Sequence, residues 1–210
     1  MKQMIKTKKR GSLIIISGTT CAGKGSVIKK VLEDNPNMSL SISYTSRKMR
    51  KGEEEGVDYY FITREEFEQK IKNGDLLEYA KVRYGEYFGT PKDKIEDLLN
   101  EGRDVILEID VQGAKQVKEI LPETILIFIV APSMSEIKRR IKARGAETNE
   151  QILDRFETAY REINEIPKYN YVVVNDNLED AVNKVEAILI SEKCRVDRIE
   201  EISVENKEEI

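Results

Sequence analysis

The chain has 210 residues, 40% of them apolar and 35% charged, and its 35 basic against 39 acidic side chains leave a net charge of −4. That length suits one domain, or one core carrying insertions, and an acidic whole argues against a nucleic acid polymer as ligand, so any phosphate must be taken in a focused site. Histidine is absent, which excludes a Ser-His-Asp triad, histidine-ligated zinc and imidazole acid–base catalysis.

The basic start, Lys2 to Arg10, precedes an apolar run of only four residues, Leu13 to Ile16. A secretory signal needs about 7–15 apolar residues and a membrane span about 20, so a soluble cytoplasmic protein without a membrane partner is expected. Cys21 and Cys194 are far apart and form no C-x-x-C pattern, which suits a reducing compartment. Leu13 to Ile16 reads as a strand covered on both faces, as do Val105 to Ile109, Ile125 to Val130 and Tyr171 to Val174. Segments with helical spacing follow each of them: Ser26 to Leu32, Val111 to Leu121, Ser133 to Ala143 and Leu178 to Ile190. That alternation predicts an α/β core, a doubly wound parallel sheet.

Two stretches interrupt it. From about 39 to 92 the chain is rich in Tyr, Gly, Arg and Glu; Leu40, Ile42 and Tyr44, then Tyr59 and Phe61, read as short half-exposed strands. Thr63 and Glu66 form a capping box that opens a helix to about Asn73. A charged segment from about Arg144 to Pro167 is expected to be helical, with Thr148 and Gln151 marking its start. Both stretches are read as insertions over the carboxyl edge of the sheet, where open α/β folds bind ligands. The basic start and the acidic tail from Asp197 are expected to be solvated, disordered ends.

The loop after the first strand is Gly18-Thr19-Thr20-Cys21-Ala22-Gly23-Lys24-Gly25-Ser26. Glycines at the two ends of G-x-x-x-x-G-K let the backbone curl, so that successive N–H groups and a helix N-terminus point at phosphate oxygens. Lys24 adds a point charge for the β- and γ-phosphates of a nucleotide. This places the core among P-loop NTPase-type folds. Asp110 ends the second buried strand, where such proteins direct an acid toward Mg²⁺ or its waters.

The segment from Ser41 through Ser43, Arg47, Arg50, Gly52, Gly56, Asp58 and Tyr59 to Phe61 resembles the acceptor-binding segment of guanylate kinases, S-x-S-x-T-T-R-x-x-R-x-G-E-x-x-G-x-D-Y-x-F. The resemblance continues through Leu77-Glu78-Tyr79-Ala80, Tyr87-Phe88-Gly89-Thr90, Glu108-Ile109-Asp110-Val111-Gln112-Gly113, Arg140, Arg144-Gly145, Glu147, Arg155 and Asn175-Asp176. It covers about 12–189 in order.

The resemblance implies transfer of a phosphoryl group from Mg-ATP to GMP, with dGMP a second acceptor. It implies a P-loop core (11–38, 102–134 and 168–193), a small mixed α+β GMP-binding insertion (39–92) and a helical lid (135–167), all within 11–193, with charged ends at 1–10 and 195–210. Implied GMP contacts are Ser43, Arg47, Arg50, Tyr59, Glu78, Thr90 and Asp110. Implied ATP contacts are Gly18 to Ser26 with Arg140 and Asn175. Lys24, Arg47, Arg144 and Arg155 are the implied catalytic cations, and Ser26 and Asp110 the residues nearest Mg²⁺. Physics supports these roles. Paired arginines can clamp a monophosphate by bidentate donation, and one carboxylate at 78 can accept both N1–H and the 2-amino group of guanine, a donor pair adenine lacks.

Some readings stay open. Arg140 suits an ordinary Arg/Glu-rich helix equally well, and Asn175-Asp176 can serve as a helix cap alone. The loop departs from the family's G-P-S-G-x-G-K at Thr19 and Cys21. Cys21 is either a reactive thiol beside Lys24 or a small side chain that fits. Phe88 stands where the family often has a second tyrosine facing the phosphate. Two rival functions share the core. One is a kinase for another monophosphate, which has no use for Glu78. The other is a non-enzymatic module that binds phosphopeptides, which typically loses the loop lysine or the lid arginines.

Overall fold

The computed structural model describes residues 5–82, 85–143 and 149–202. Arg144, Gly145, Glu147 and Thr148 lie outside the described residues. In chain order the elements are β1 (Ile5–Thr7), β2 (Leu13–Gly18), α1 (Lys24–Asp34), β3 (Met38–Leu40), β4 (Tyr44–Thr45), β5 (Tyr60–Phe61) and α2 (Arg64–Asn73). They continue with β6 (Leu76–Lys81), β7 (Tyr87–Pro91), α3 (Lys92–Asn100), β8 (Asp104–Glu108), α4 (Val111–Ile120) and β9 (Ile125–Val130). The last are α5 (Met134–Ala143), α6 (Asn149–Ile163), β10 (Tyr171–Val174), α7 (Leu178–Lys193) and β11 (Ile199–Ile202).

Five strands form a parallel sheet in the order β10-β9-β2-β8-β3. Cover on both faces explains the continuous apolar runs of β2, β8 and β9. By contrast β10, at the sheet edge, is covered on one face only, with Val172 and Val174 exposed rather than buried as its run predicts. Ile14 and Ile16 of β2 pack with Val27, Ile28 and Val31 of α1 and with Val182, Val185 and Leu189 of α7. Leu13 and Ile15 point the other way, into Ile95 and Leu99 of α3 and Ala114 and Val117 of α4. The strand period of two thus divides one hydrophobic run between two cores.

A second sheet, β5-β4-β7-β6, is mixed: β4 runs parallel to β5, while β7 is antiparallel to β4 and β6. The helix α2 begins as its capping box predicts, with Thr63 accepting from the Glu66 N–H and Glu66 reaching back to the Thr63 N–H. It covers this sheet with Phe67, which is fully buried and stacks on Tyr87 at 5.1 Å.

Three other expectations change. Leu40 and Tyr44 belong to different sheets: β3 pairs with β8 in the core, and only β4 joins the insertion. The first helix starts at Lys24 rather than Ser26. The charged ends, expected to be solvated and disordered, remain largely exposed but pair as an antiparallel ribbon between β1 and β11. Opposite charges make this possible, since Lys6 meets Glu200 at 3.1 Å and the Lys8 N–H reaches the Arg198 carbonyl. Among the described residues no helix is long and apolar enough to cross a membrane.

Candidate active site

The carboxyl ends of the parallel strands deliver the predicted residues to one edge. After β2, the phosphate loop turns into α1. Two glycines shape it. A Cβ on Gly18 would stand 2.0 Å from the Ile129 carbonyl oxygen, and Gly23, the N-cap of α1, has φ +86°. Between them Cys21 takes φ +57°, the left-handed region that L side chains avoid. Its side chain packs against the cluster of Ala131, Ile137, Ile141 and Ala159. Those apolar neighbours are what the simple fit requires. Thr19 is fully buried, its N–H donated to the Ile129 carbonyl. Lys24 Nζ donates to the carbonyls of Gly18 and Thr19 at 2.8 and 3.3 Å, so the ammonium is held within the loop it serves.

The loop is braced from the end of β10 and from the lid helices. Asn175, buried, donates Nδ2 to the Ala22 carbonyl at 2.7 Å. Arg140 of α5 spans the gap: Nη1 reaches the Ala22 carbonyl at 3.4 Å, Nη2 the Asn175 carbonyl at 2.9 Å, and Nε Glu136 at 2.7 Å. The Arg139 and Arg140 guanidiniums hold the Glu136 carboxyl down at about 2. Arg155 of α6 donates Nη1 to Thr20 Oγ1 at 3.4 Å. Cys21, Gly23, Ser26, Arg140, Asn175, Asp176 and Leu178 line a cleft of about 360 Å³ beside the loop.

The acceptor side is smaller. Ser43, Tyr59 and Thr90 line a cavity of about 140 Å³ with Asp58 and Glu108. Arg47, which packs on the Tyr59 ring, is only 7% exposed, boxed by the rings of Tyr59, Phe61 and Phe88 at 4.9, 5.5 and 6.0 Å. A buried guanidinium needs a counter-ion, and Glu53 supplies it through a two-point grip at 2.6 and 2.7 Å. The Arg47 guanidinium, helped by the Arg50 N–H, holds the Glu53 carboxyl at about 2. Arg50 itself is exposed and joins the cluster through that backbone N–H.

Glu78 of β6 is likewise 7% exposed, with Thr90 Oγ1 donating to its Oε1 at 2.7 Å. Burial pushes its carboxyl up, Thr90 opposes, and the Asp110 charge adds to the rise. Asp110 caps α4, its Oδ1 accepting from the Gln112 and Gly113 N–H groups at 2.9 Å each.

Three residues of the site carry no role in the sequence reading: Glu53, Gly113 and Glu162. The spacing of Glu53 from Arg47 and Arg50 was a usable signal. A larger cavity, about 590 Å³, lies at the opposite edge of the sheet near Arg10 and Arg195. Two of the five cations lining it are paired with carboxylates, Arg195 with Asp197 and Arg10 with Glu96, and it lies away from the phosphate loop, so size does not mark the site.

A glycine-bounded, lysine-bearing loop at the head of a doubly wound sheet, a small arginine-bearing sheet beside it and two helices that reach the loop together fit the P-loop kinases for nucleoside monophosphates. The comparisons narrow the class. A family model described as guanylate kinase matches residues 10–192. The guanylate kinase of Clostridium perfringens (strain SM101 / Type A) is 54% identical over 209 residues, covering 100% of this chain and 96% of the relative. That of Caldanaerobacter subterraneus is 50% identical over 202 residues, covering 96% and 98%. A crystal structure of guanylate kinase from Anaplasma phagocytophilum superposes with a TM-score of 0.74 at 34% identity, over 94% of this chain and 93% of that one. The chain belongs to the guanylate kinase family.

Proposed function

We propose that this protein transfers the γ-phosphoryl group of ATP to GMP, with dGMP as a second acceptor, releasing ADP and the corresponding diphosphate. One observation carries the acceptor assignment: a buried carboxylate, Glu78, fixed at 2.7 Å by Thr90, which lines a cavity together with Tyr59, the ring that the buried Arg47 packs on. In this reading Glu78 accepts both guanine donors, while Ser43, Thr90 and Asp110 face the base and ribose. Arg47, Arg50 and Tyr59 grip the acceptor phosphate. The loop amides from Gly18 to Ser26 and Lys24 hold the donor phosphates, with Arg140 and Asn175 on the donor's far side.

An oxygen of the acceptor phosphate attacks the γ-phosphorus in line, and the bond to the β,γ-bridging oxygen breaks. No phosphoenzyme forms. Such a transfer asks mainly for placement and neutralisation of charge on the moving group. Lys24, Arg47, Arg144 and Arg155 supply those cations; Arg144 lies outside the described residues. The donor set suits Mg²⁺. Among the described residues no cluster of three or more Asp, Glu or Cys side chains converges, and Mg²⁺ is usually held by phosphates, waters and one or two protein oxygens. Ser26 and Asp110 are the residues assigned to it, and the ion would neutralise charge on the β- and γ-phosphates. An insertion at 39–92 and a lid at 135–167 closing on the core would exclude water and limit hydrolysis. The setting is cytoplasmic, in keeping with two unpaired cysteines, and the partners are free nucleotides.

The test is ADP release with Mg-ATP and each of GMP, AMP, CMP and UMP. GMP should exceed the others by orders of magnitude. Equal use of AMP would refute the role of Glu78, and silence with every acceptor would refute the activity.

A further inference from the structure

Glu162 sits in the last turn of α6, and its carboxylate is not spent on solvent. Its Oε2 accepts the backbone N–H of Thr20 at 3.0 Å, across 142 residues of chain. Thr20 belongs to the loop that cradles the donor phosphates. Seven residues back on the same helix, Arg155 Nη1 meets the Thr20 hydroxyl at 3.4 Å. Seven residues make about two helical turns, so both side chains project from one face. The helix therefore grips a single loop residue twice, at its amide and at its hydroxyl.

The surroundings make this more than an incidental contact. Burial disfavours the Glu162 charge and Asp110 adds repulsion, while the Thr20 N–H, Lys24 and Arg161 favour it. The small apolar cluster of Ala131, Ile137, Ile141 and Ala159 also supports α6. Apolar contacts are non-directional and fix neither height nor rotation finely. A hydrogen bond from a loop amide to a carboxylate fixes both.

We propose that Glu162 is a positioning residue, registering the lid helix on the phosphate loop so that Arg155 meets the phosphoryl group in transit. The proposal rests on reading Arg155 as a cation of the transfer site. Misplacing a catalytic group by about 1 Å can cost about 10²-fold in rate. Glu162→Ala should therefore lower kcat about 10- to 100-fold. Every loop amide, including that of Thr20, and Lys24 are retained in that variant, so KM for ATP should stay within about threefold.

The experiment is a double-mutant cycle on the full chain, comparing wild type, Glu162→Ala, Arg155→Ala and the double variant for kcat and KM with ATP and GMP. If Glu162 acts through Arg155, the double variant is no slower than Arg155→Ala, within about threefold. Losses that multiply independently, full kcat in Glu162→Ala, or tighter ATP binding in that variant would each overturn the proposal. Wild-type kcat in Arg155→Ala would instead overturn the reading of Arg155. Glu162→Gln keeps an acceptor oxygen for Thr20 and decides the matter if the alanine variant does not fold. It should retain kcat within about fivefold of wild type, and a fall as deep as that of Arg155→Ala would overturn the proposal.

Discussion

Replacing Glu78 with glutamine changes the hydrogen-bonding of the side chain and hardly its size. Thr90 Oγ1 donates to Glu78 Oε1 at 2.7 Å, so the glutamine carbonyl should keep that hydroxyl. Its NH₂ then falls where Oε2 stood, on the side of Gly113. A donor would face the two donors of guanine. The wild-type carboxylate accepts two bonds, each worth about 1.5–3 kcal/mol because the acceptor is charged. The retained carbonyl can still accept one of them, so the loss is about 1.5–3 kcal/mol before the donor–donor clash is added, and kcat/KM for GMP should fall at least about 10- to 10²-fold. AMP never made those bonds and should change by less than about threefold. Stability should move the other way. Burial raises the Glu78 carboxyl above its ordinary value, so the native state holds this proton more tightly than the unfolded chain. Wild-type stability then falls as pH rises through the window between the two values and stays lower above it. Glutamine has no such charge to bury. The variant should melt no lower than wild type at neutral pH, and its relative advantage should shrink as pH falls through that window. ADP-release kinetics with GMP and AMP, with thermal melts at several pH values, make the measurement. A variant that prefers GMP as strongly as wild type refutes the base reading, and one that melts lower at neutral pH refutes the electrostatic argument.

Gly113→Ala should gain helix propensity of about 1 kcal/mol, yet the added Cβ would stand 3.0 Å from Glu78 Oε2. KM for GMP should rise severalfold with the melting temperature unchanged or higher; an unchanged KM would mean that the carboxylate yields without cost. Phe88→Tyr adds a hydroxyl to a ring that lies edge-on to Tyr59 at 5.6 Å and 6.0 Å from the Arg47 guanidinium carbon. If that hydroxyl reaches the acceptor phosphate, KM for GMP falls about tenfold, the low end of a bond to a charged group; no change means the ring edge points elsewhere.

The core was legible because burial on both faces writes itself into the chain as unbroken apolar runs, and β9 keeps the bounds read from its run; β10 keeps its bounds too, although its apolar run belongs to an edge strand that exposes Val172 and Val174. The start of α2 was legible because a capping box is local chemistry. Other elements lacked such marks. β6 and β7 mix buried, half-buried and exposed positions without strict alternation. α3 has no side-chain cap, beginning at Pro91, so nothing in the sequence announced it. Leu40, Ile42 and Tyr44 alternate as one strand would, but the chain leaves the core sheet after Leu40 and enters the other at Tyr44. Pattern gives the period of a segment; it does not say which sheet receives it. Cys21 is a further case. The sequence marks it as a departure from a usual glycine, and only the backbone gives its cost, about 1–2 kcal/mol for the left-handed conformation. Packing against Ile137 and Ile141 offsets part of that.

Within the site, the cations could be picked out by residue type, but their partners were legible only where the contact is short in sequence. Arg47 and Glu53 are six residues apart, close enough for the loop itself to bring them together. Glu162 and Thr20 are 142 apart, and nothing in the helical pattern of α6 says that its last turn ends on a phosphate loop. The distinction matters for how each group is held ready. A buried guanidinium without a counter-charge is costly, so Arg47 must be paired before any ligand arrives, and a nearby glutamate achieves this however the rest of the chain packs. Arg155 depends on where the lid helix settles, and that position is fixed by contacts between distant segments. The ion pair that readies Arg47 is therefore a local property of residues 47–53, while the contact that places Arg155 exists only once α6 has docked on the core.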